Sequence, residues 1–122
     1  MLDRIEEFTF GGSNFVYFDL SYFKTNGEFR RFIEAAKHII KKCEKNSVYT
    51  ITNTEGVRFD SETKRIISDW MGCNKPYIIK GAVLGADGIR KIFINTIFSI
   101  AERKNMIFAY TREQAVDLLL GK

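Results

Sequence analysis

Hydrophobic and polar positions near the start of this chain follow a period of two. Residues 4–10 alternate charged and apolar side chains, and an aromatic, β-branched run over 14–20 follows Gly11-Gly12. This period is typical of half-buried strands, and adjacent glycines favour a tight turn. The pattern therefore predicts a hairpin of two strands.

After the hairpin the period lengthens to that of a helix. Thr25 and Glu28 form a capping box, in which the threonine hydroxyl can accept a hydrogen bond from the glutamate amide. Apolar side chains then recur on one helical face. They are Phe29, Phe32, Ile33, Ala36, Ile40 and Cys43. A first helix is predicted here.

The rest of the chain alternates strands with helices. The predicted elements are a strand over 47–52, a helix from Asp60 or Ser61 to about Gly72, an apolar strand over 77–84, a helix over 88–103, a strand over 106–109 and a helix from Thr111 to Leu120. We therefore predict one α/β domain over residues 1–122 with the order ββαβαβαβα, about five strands and about four helices. Strict alternation after the hairpin predicts right-handed crossovers and a mixed, mostly parallel sheet.

Composition and charge narrow the class of protein. The chain has 45% hydrophobic and 28% charged residues, one proline and a net charge of +4, which indicates a compact globular domain. Its densest basic cluster is Lys41, Lys42 and Lys45 in the last turn of the first predicted helix, where cations complement the helix dipole. We therefore expect no nucleic-acid partner.

The sequence carries no signal for export, membrane insertion or metal binding. Residues 1–7 lack an apolar signal region, and no apolar run approaches the length of a membrane span. Cys43 and Cys73 form no CxxC pair, and a single histidine is too few for the usual zinc ligand sets. We expect a cytoplasmic protein with reduced thiols, no metal or other cofactor, and no membrane partner.

The turn Gly85-Ala86-Asp87-Gly88 is one candidate site. It lies between a predicted strand and a predicted helix, so its backbone amides could bind an anion. Its spacing matches neither GxGxxG nor a phosphate-binding loop that ends in Gly-Lys-Ser/Thr. We favour a structural interpretation, in which Asp87 caps the helix while Gly85 and Gly88 allow a tight turn and close packing.

The run Asp60-Ser61-Glu62-Thr63, at the beginning of the second predicted helix, is another candidate site. A phosphate on the Ser61 hydroxyl would lie near the positive end of the helix dipole. Ordinary capping by Asp60 or Ser61 is the alternative, with Glu62 favourable in the first turn. Spacing alone favours capping.

The third predicted helix carries two apolar stripes. The stripe that we expect to cover the sheet comprises Ile89, Ile92, Phe93, Ile97 and Ile100. The second stripe comprises Ile94, Phe98 and Ala101, more than a right angle away. Either a neighbouring helix or the N-terminal segment covers the second stripe, or Ile94 and Phe98 belong to a partner face near Asp60.

No grouping of side chains indicates catalysis. His38 falls on the side of its helix opposite Phe29, so we expect it to be solvated and without a nucleophile in reach. The paired acids Glu6-Glu7 look like solvated surface. We predict that the protein is not an enzyme.

Two segments of the carboxyl-terminal half carry a family resemblance. One is Lys75-Pro76-Tyr77 with the run KGAVLGADGIRK that follows over 80–91, and the other is FAYTREQAVDLL over 108–119. With the element order and the short strand before Asp60-Ser61, they resemble the STAS domain superfamily in its SpoIIAA-like branch. The resemblance covers most of the chain and is most specific over 75–119.

This resemblance implies a SpoIIAA-like fold and a role like that of anti-sigma-factor antagonists. Those proteins bind a kinase-like anti-sigma factor, and phosphorylation of a serine in an Asp-Ser-Ser-Gly-type motif at the start of the second helix ends the binding. Ser61 is the closest equivalent here. The second serine and the glycine of that motif are missing here, and Glu62 places a negative charge beside the position of the phosphate. The resemblance therefore implies the fold more strongly than it implies regulation by phosphorylation.

We therefore predict a non-enzymatic, regulatory protein-interaction domain. Its partner would be another protein, such as an anti-sigma-factor-like kinase, or a second copy of this chain. The alternative is a module that binds a nucleotide or an apolar molecule near the turn over 85–88.

Overall fold

The structure is a computed structural model that describes residues 2–58 and 60–121. Within these residues a 3₁₀ turn (Leu2–Arg4) precedes strands and helices in the predicted ββαβαβαβα order, which is confirmed. The strands are β1 (Ile5–Phe10), β2 (Ser13–Asp19), β3 (Val48–Asn53), β4 (Ile78–Leu84) and β5 (Met106–Phe108). The helices are α1 (Asn26–Lys41), α2 (Ser61–Asn74), α3 (Gly88–Ile100) and α4 (Arg112–Leu119).

All the strands pair in a single sheet with the sequential order β1-β2-β3-β4-β5. β1 is antiparallel to β2, with Ile5 opposite Phe18, and the other neighbours are parallel. The prediction of a mixed, mostly parallel sheet is confirmed. The hairpin between β1 and β2 depends on Gly11 and Gly12, whose φ angles of +59° and +79° lie in a region that glycine tolerates best.

The helices divide unequally between the two faces of the sheet. α1, α2 and α3 cover one face, where Phe18, Phe32, Trp70 and Ile97 are each at most 3% exposed. α4 covers the opposite face, where it shares a core with Phe15 of β2. Because β4 is covered on both faces, its sequence is a nearly continuous apolar run.

Threonine hydroxyls cap α1, as predicted, and α4. The Thr25 hydroxyl accepts a hydrogen bond from the Glu28 amide at 3.1 Å, and the Thr111 hydroxyl accepts one from the Gln114 amide at 3.0 Å. α1 ends at Lys41, so Cys43 lies in the bend beyond the helix and not on its buried face.

α2 continues past its predicted end at Gly72 and reaches Asn74. Gly72 lies in open space without a positive φ, so it does not terminate the helix. The chain leaves the helix at Lys75 instead, and the Tyr77 amide donates to the Asn74 carbonyl at 2.9 Å.

α3 ends earlier than predicted, in a Schellman motif. The Arg103 amide donates to the Phe98 carbonyl at 2.9 Å, and the Glu102 amide donates to the Ser99 carbonyl at 3.2 Å. Glu102 has a φ of +55°, the left-handed conformation that this motif requires. The motif turns Arg103 back under the helix, where the residue is only 5% exposed.

α3 is rotated from its predicted orientation, and of the stripe expected to cover the sheet only Ile97 is buried. Its buried residues are Ile94, Ile97 and Phe98, at 4%, 0% and 7% exposure. Its most exposed residues are Ile89, Ile92 and Ile100, at 74%, 69% and 55% exposure. The interpretation of Ile94 and Phe98 as a partner face is therefore wrong. Both side chains complete the core, where the Phe98 and Phe108 rings lie 5.7 Å apart.

Arg112 attaches α4 to the edge strand β1. Its guanidinium donates to both carboxylate oxygens of Glu6, at 3.0 and 2.8 Å. It also lies over the rings of Phe8 and Tyr17, at 4.5 and 4.6 Å from their centroids. These contacts join two elements that are far apart along the chain.

Beside this attachment, three aromatic side chains form what we call the aromatic ladder, across β1, β2 and β3. The Phe8 and Phe15 rings stack at 5.0 Å, and the Phe15 and Tyr49 rings stack at 5.2 Å. All three belong to the core that α4 closes.

Candidate functional site

The carboxyl ends of β2, β3 and β4 meet at one edge of the sheet, the position at which open α/β sheets usually bind ligands. Asp19, Asn53 and Leu84 are neighbours in register there. The Asp19 carboxylate accepts from the amide and hydroxyl of Ser21 at 2.9 and 2.5 Å, and from Asn53 Nδ2 at 3.4 Å. This carboxylate is therefore used to hold the loop after β2 against β3.

The turn over residues 85–88 packs against the loop that follows β3. Gly85 has a φ of +77°, and a Cβ at this position would lie 2.8 Å from the Glu55 nitrogen. The Thr54 amide and hydroxyl both donate to the Leu84 carbonyl, at 2.9 and 2.7 Å. The close packing predicted for Gly85 is confirmed, and this side of the turn faces protein.

Asp87 is the N-cap residue of α3, but only its backbone acts as a cap. Its carbonyl accepts from the amides of Arg90 and Lys91 at 2.9 and 3.3 Å, whereas its carboxylate makes no capping hydrogen bond. Gly88, the first helical residue, has a φ of +49°, so the first turn departs from the geometry in which a capping side chain reaches the amides. Anion binding at this turn stays a prediction.

Asp60 caps α2, in agreement with the favoured interpretation. Its carboxylate accepts from the Thr63 amide at 2.7 Å, and this hydrogen bond lowers the pKa of Asp60. Ser61 is the first helical residue and is exposed. Its hydroxyl is therefore accessible at the positive end of the α2 dipole.

Glu62 is turned towards α1. Its carboxylate accepts from Asn26 Nδ2 at 2.9 Å and pairs with the Arg30 guanidinium. Arg58, in the loop before α2, donates to the Lys24 carbonyl at 2.8 Å. The Glu62 carboxylate, which would repel a phosphate on Ser61, is therefore compensated by the positive charge of Arg30.

An exposed apolar surface lies on the side of α3 opposite the predicted partner face. We call the surface formed by Ile89, Ile92 and Ile100 the α3 outer face. The sequence analysis assigned these residues to the sheet side. One signal could have corrected it, because Thr96 interrupts their stripe whereas the buried stripe has no polar member.

Within the described residues, the side chains that could bind a metal ion do not cluster. His38 is exposed, and burial raises the pKa of the Cys43 thiol. Cys43 and Cys73 are both free. In residues 2–58 and 60–121, no group of three or more His, Cys, Asp or Glu side chains could hold a metal ion, and no helix is long and apolar enough to cross a membrane.

The sequence analysis missed Arg103, which lies behind the end of α3. Burial lowers the pKa of this guanidinium to about 10. Arginine is normally solvated, so nothing in its sequence context marks it as an interior residue. Only the Schellman motif after Phe98 reveals its position.

Comparisons with known proteins add no assignment to this geometry. A scan against protein-family models, a search of curated proteins and a search of solved structures each found no match. The resemblance to the STAS superfamily therefore stays a prediction.

Proposed function

We propose that this chain is a non-enzymatic interaction domain that binds another protein through the α3 outer face. The observation that carries the proposal is the exposure of Ile89, Ile92 and Ile100, at 74%, 69% and 55%. Large apolar side chains grouped on one helical face are typical of surfaces that a partner covers.

The energy available from this face can be bounded. The exposed fractions of its three isoleucines add up to about that of two fully exposed isoleucines. Burying one isoleucine side chain is worth about 1.5–3 kcal/mol, so covering the face would contribute about 3–6 kcal/mol before the costs of association. Micromolar binding needs about 8 kcal/mol. Polar contacts around the face must therefore add to the affinity.

The charges carried by α3 and the residues after it indicate the chemistry of those polar contacts, although the Lys91 ammonium lies over the Phe108 ring, 4.8 Å from its centroid. α3 contains Arg90 and Lys91 and no acidic residue, and the exposed Lys104 follows it. Part of the hydrogen-bonding capacity of Arg90 is already used, because its guanidinium donates to the carbonyls of Thr54 and Val57 at 3.1 and 3.3 Å. A partner with an apolar ridge flanked by acidic side chains fits this surface.

The STAS resemblance supports an interaction function independently. A five-stranded mixed sheet with four helices is compatible with the SpoIIAA-like fold, whose members bind a kinase-like anti-sigma factor. The exposed Ser61 and the pairing of Glu62 with Arg30 remove one objection to a phosphoserine at this position. Phosphorylation of Ser61 therefore remains our candidate for a switch that releases the partner.

Replacing Ile89 and Ile92 together by serine tests the α3 outer face. We expect the wild-type protein to retain a protein from native cell extract that the double variant does not retain. Lys91→Glu should weaken the same interaction, because the partner is expected to be acidic. Leu118→Ser is the matched control, since Leu118 is 38% exposed on α4, across the sheet from α3.

Identical retained proteins for the wild type and the double variant would contradict the proposal. The solution mass of the purified chain shows whether the partner is another protein or a second copy of this chain. A dimer that the double variant dissociates would identify a second copy, and not another protein, as the partner. Ser61→Glu tests the switch separately, because it should abolish retention of that partner while leaving the fold intact.

A further inference from the structure

Arg103 is a buried cation that lacks an anionic partner among the described residues. Its Nε donates to Asn105 Oδ1, its Nη1 to the Met71 carbonyl and its Nη2 to Met106 Sδ, each at 3.1 Å. All three acceptors are neutral, and a thioether is a weak acceptor. Glu102, next in the chain, lies with its carboxylate 3.9 Å from the Lys75 ammonium instead.

The hydrogen bonds of Arg103 leave part of its binding capacity unused. A guanidinium carries five N–H groups in a planar fork that matches a carboxylate. A buried charge is normally paired, because removal from water is costly. Desolvation is the cause that lowers the pKa of Arg103 to about 10, so no nearby charge offsets its burial.

Arg103 also lines an internal cavity, which we call the inner cavity. It has a volume of about 30 Å³ and lies between α2, α3 and the sheet. Its polar wall includes Thr50, Thr52, Asn74 and Trp70, and no carboxylate lines it. The Trp70 indole is 3% exposed, and its Nε1 has no hydrogen-bond partner among the described residues. The cavity therefore offers a cation and an unused N–H donor.

A surface groove, which we call the outer groove, reaches Arg103 from the solvent side. Lys75, Glu102, Lys104 and Asn105 line it, so two lysines outnumber the single carboxylate. The outer groove and the inner cavity share Phe98, Arg103 and Met106 as lining residues. These shared side chains form the boundary between solvent and the inner cavity, and the lysines make the approach favourable for an anion.

We propose that Arg103 binds the carboxylate of a small organic acid at this boundary, with the rest of the acid in the inner cavity. The volume limits the acid, because about 30 Å³ holds only about two water-sized groups. Acetate satisfies this limit, because its carboxylate stays at the boundary beside Arg103 and only its methyl group enters the inner cavity. The planar fork of the guanidinium and the largely apolar cavity wall favour a carboxylate with a methyl group over a spherical inorganic anion.

Sodium acetate is the probe, with acetamide as its neutral isostere and sodium chloride as the inorganic anion, all at constant ionic strength. Trp70 is the only tryptophan, so its indole N–H gives a single resonance that reports on the inner cavity. We expect acetate to shift this resonance saturably and to raise the thermal unfolding midpoint. Acetamide should bind at least about tenfold more weakly, because it lacks the charge-assisted hydrogen bonds.

Arg103→Met should abolish the response to acetate, whereas Lys104→Met, which removes an exposed neighbouring charge, should preserve saturation. If Arg103→Met does not fold, Arg103→Lys provides the second test through the thermal midpoint, because it keeps the charge but loses the planar fork, so the affinity for acetate should fall severalfold. Absence of any saturable response would mean that the inner cavity holds only water and would overturn the proposal. So would equal affinities for chloride and acetate, a response retained by Arg103→Met, or an unchanged affinity in Arg103→Lys.

Discussion

Replacing Ile97 by alanine should destabilise the domain far more than replacing Ile92 by alanine. Both residues belong to α3, but Ile97 is 0% exposed and Ile92 is 69% exposed. The sequence pattern placed both on one stripe, so the pair tests the orientation of the helix directly.

The magnitude follows from burial. Truncating a fully buried isoleucine removes its apolar contacts and leaves a cavity, at a cost of about 2–5 kcal/mol. Ile92→Ala opens no cavity, and alanine is the better helix former, so we expect a change within about 0.5 kcal/mol of zero. Domains of this kind unfold with about 5–15 kcal/mol. Ile97→Ala therefore removes a large share of the total stability.

Urea unfolding followed by Trp70 fluorescence measures both variants, because the indole is 3% exposed and reports on the same core. With an ordinary urea dependence, Ile97→Ala should lower the midpoint by about 1–3 M. Equal losses, or a larger loss for Ile92→Ala, would show that α3 packs with the other stripe inward and would refute the orientation described above.

Two more predictions concern a pair of glycines and the N-cap of α2. Gly85→Ala should lower the free energy of unfolding by more than about 1 kcal/mol, because φ is positive and the added Cβ would lie 2.8 Å from the Glu55 nitrogen. Gly72→Ala should instead stabilise α2 by about 0.5–1 kcal/mol, because a Cβ there would lie in open space. Urea unfolding measures both, and a neutral Gly85→Ala would contradict the close packing. The pKa of Asp60 is lowered below 3.8 in the folded state, so its contribution is present above the unfolded pKa and is lost as pH falls through the folded pKa. Wild-type stability should therefore fall faster below about pH 4 than that of Asp60→Asn, which keeps a capping side chain. Parallel pH profiles would argue against this role.

Local chemistry explains why the order of elements was predictable. Thr25 and Thr111 each stand three residues before the amide that they cap, so the whole signal lies within four residues. The glycine hairpin at Gly11-Gly12 is equally local. Such features depend on neighbours in sequence and do not require knowledge of the packing.

The orientation of α3 had a much weaker local signal, the polar Thr96 on the exposed side. Both of its stripes are apolar, so hydrophobic periodicity alone permits either to face the sheet. The choice depends on distant residues, such as Phe108, against which Phe98 packs. Gly85 illustrates the same limit, because its turn was predictable whereas its contact with Glu55 was not.

The interior position of Arg103 depends on tertiary structure even more strongly. Its side chain turns inward only because Glu102 adopts a left-handed conformation, which non-glycine residues rarely do. A polar residue after a helix otherwise predicts solvated surface. The proposed acid-binding site was therefore invisible in the sequence, because the predicted third helix ran through Arg103 whereas α3 ends at Ile100.

The contact between Arg112 and Glu6 also has a consequence for the order of folding. The two residues are separated by 106 positions, so we expect α4 to dock on β1 late in folding, after the strands between them have assembled. Before that step the aromatic side chains of the ladder would lack their cover and be open to other molecules. We therefore expect a change that slows the docking of α4 to prolong the period in which the chain can aggregate.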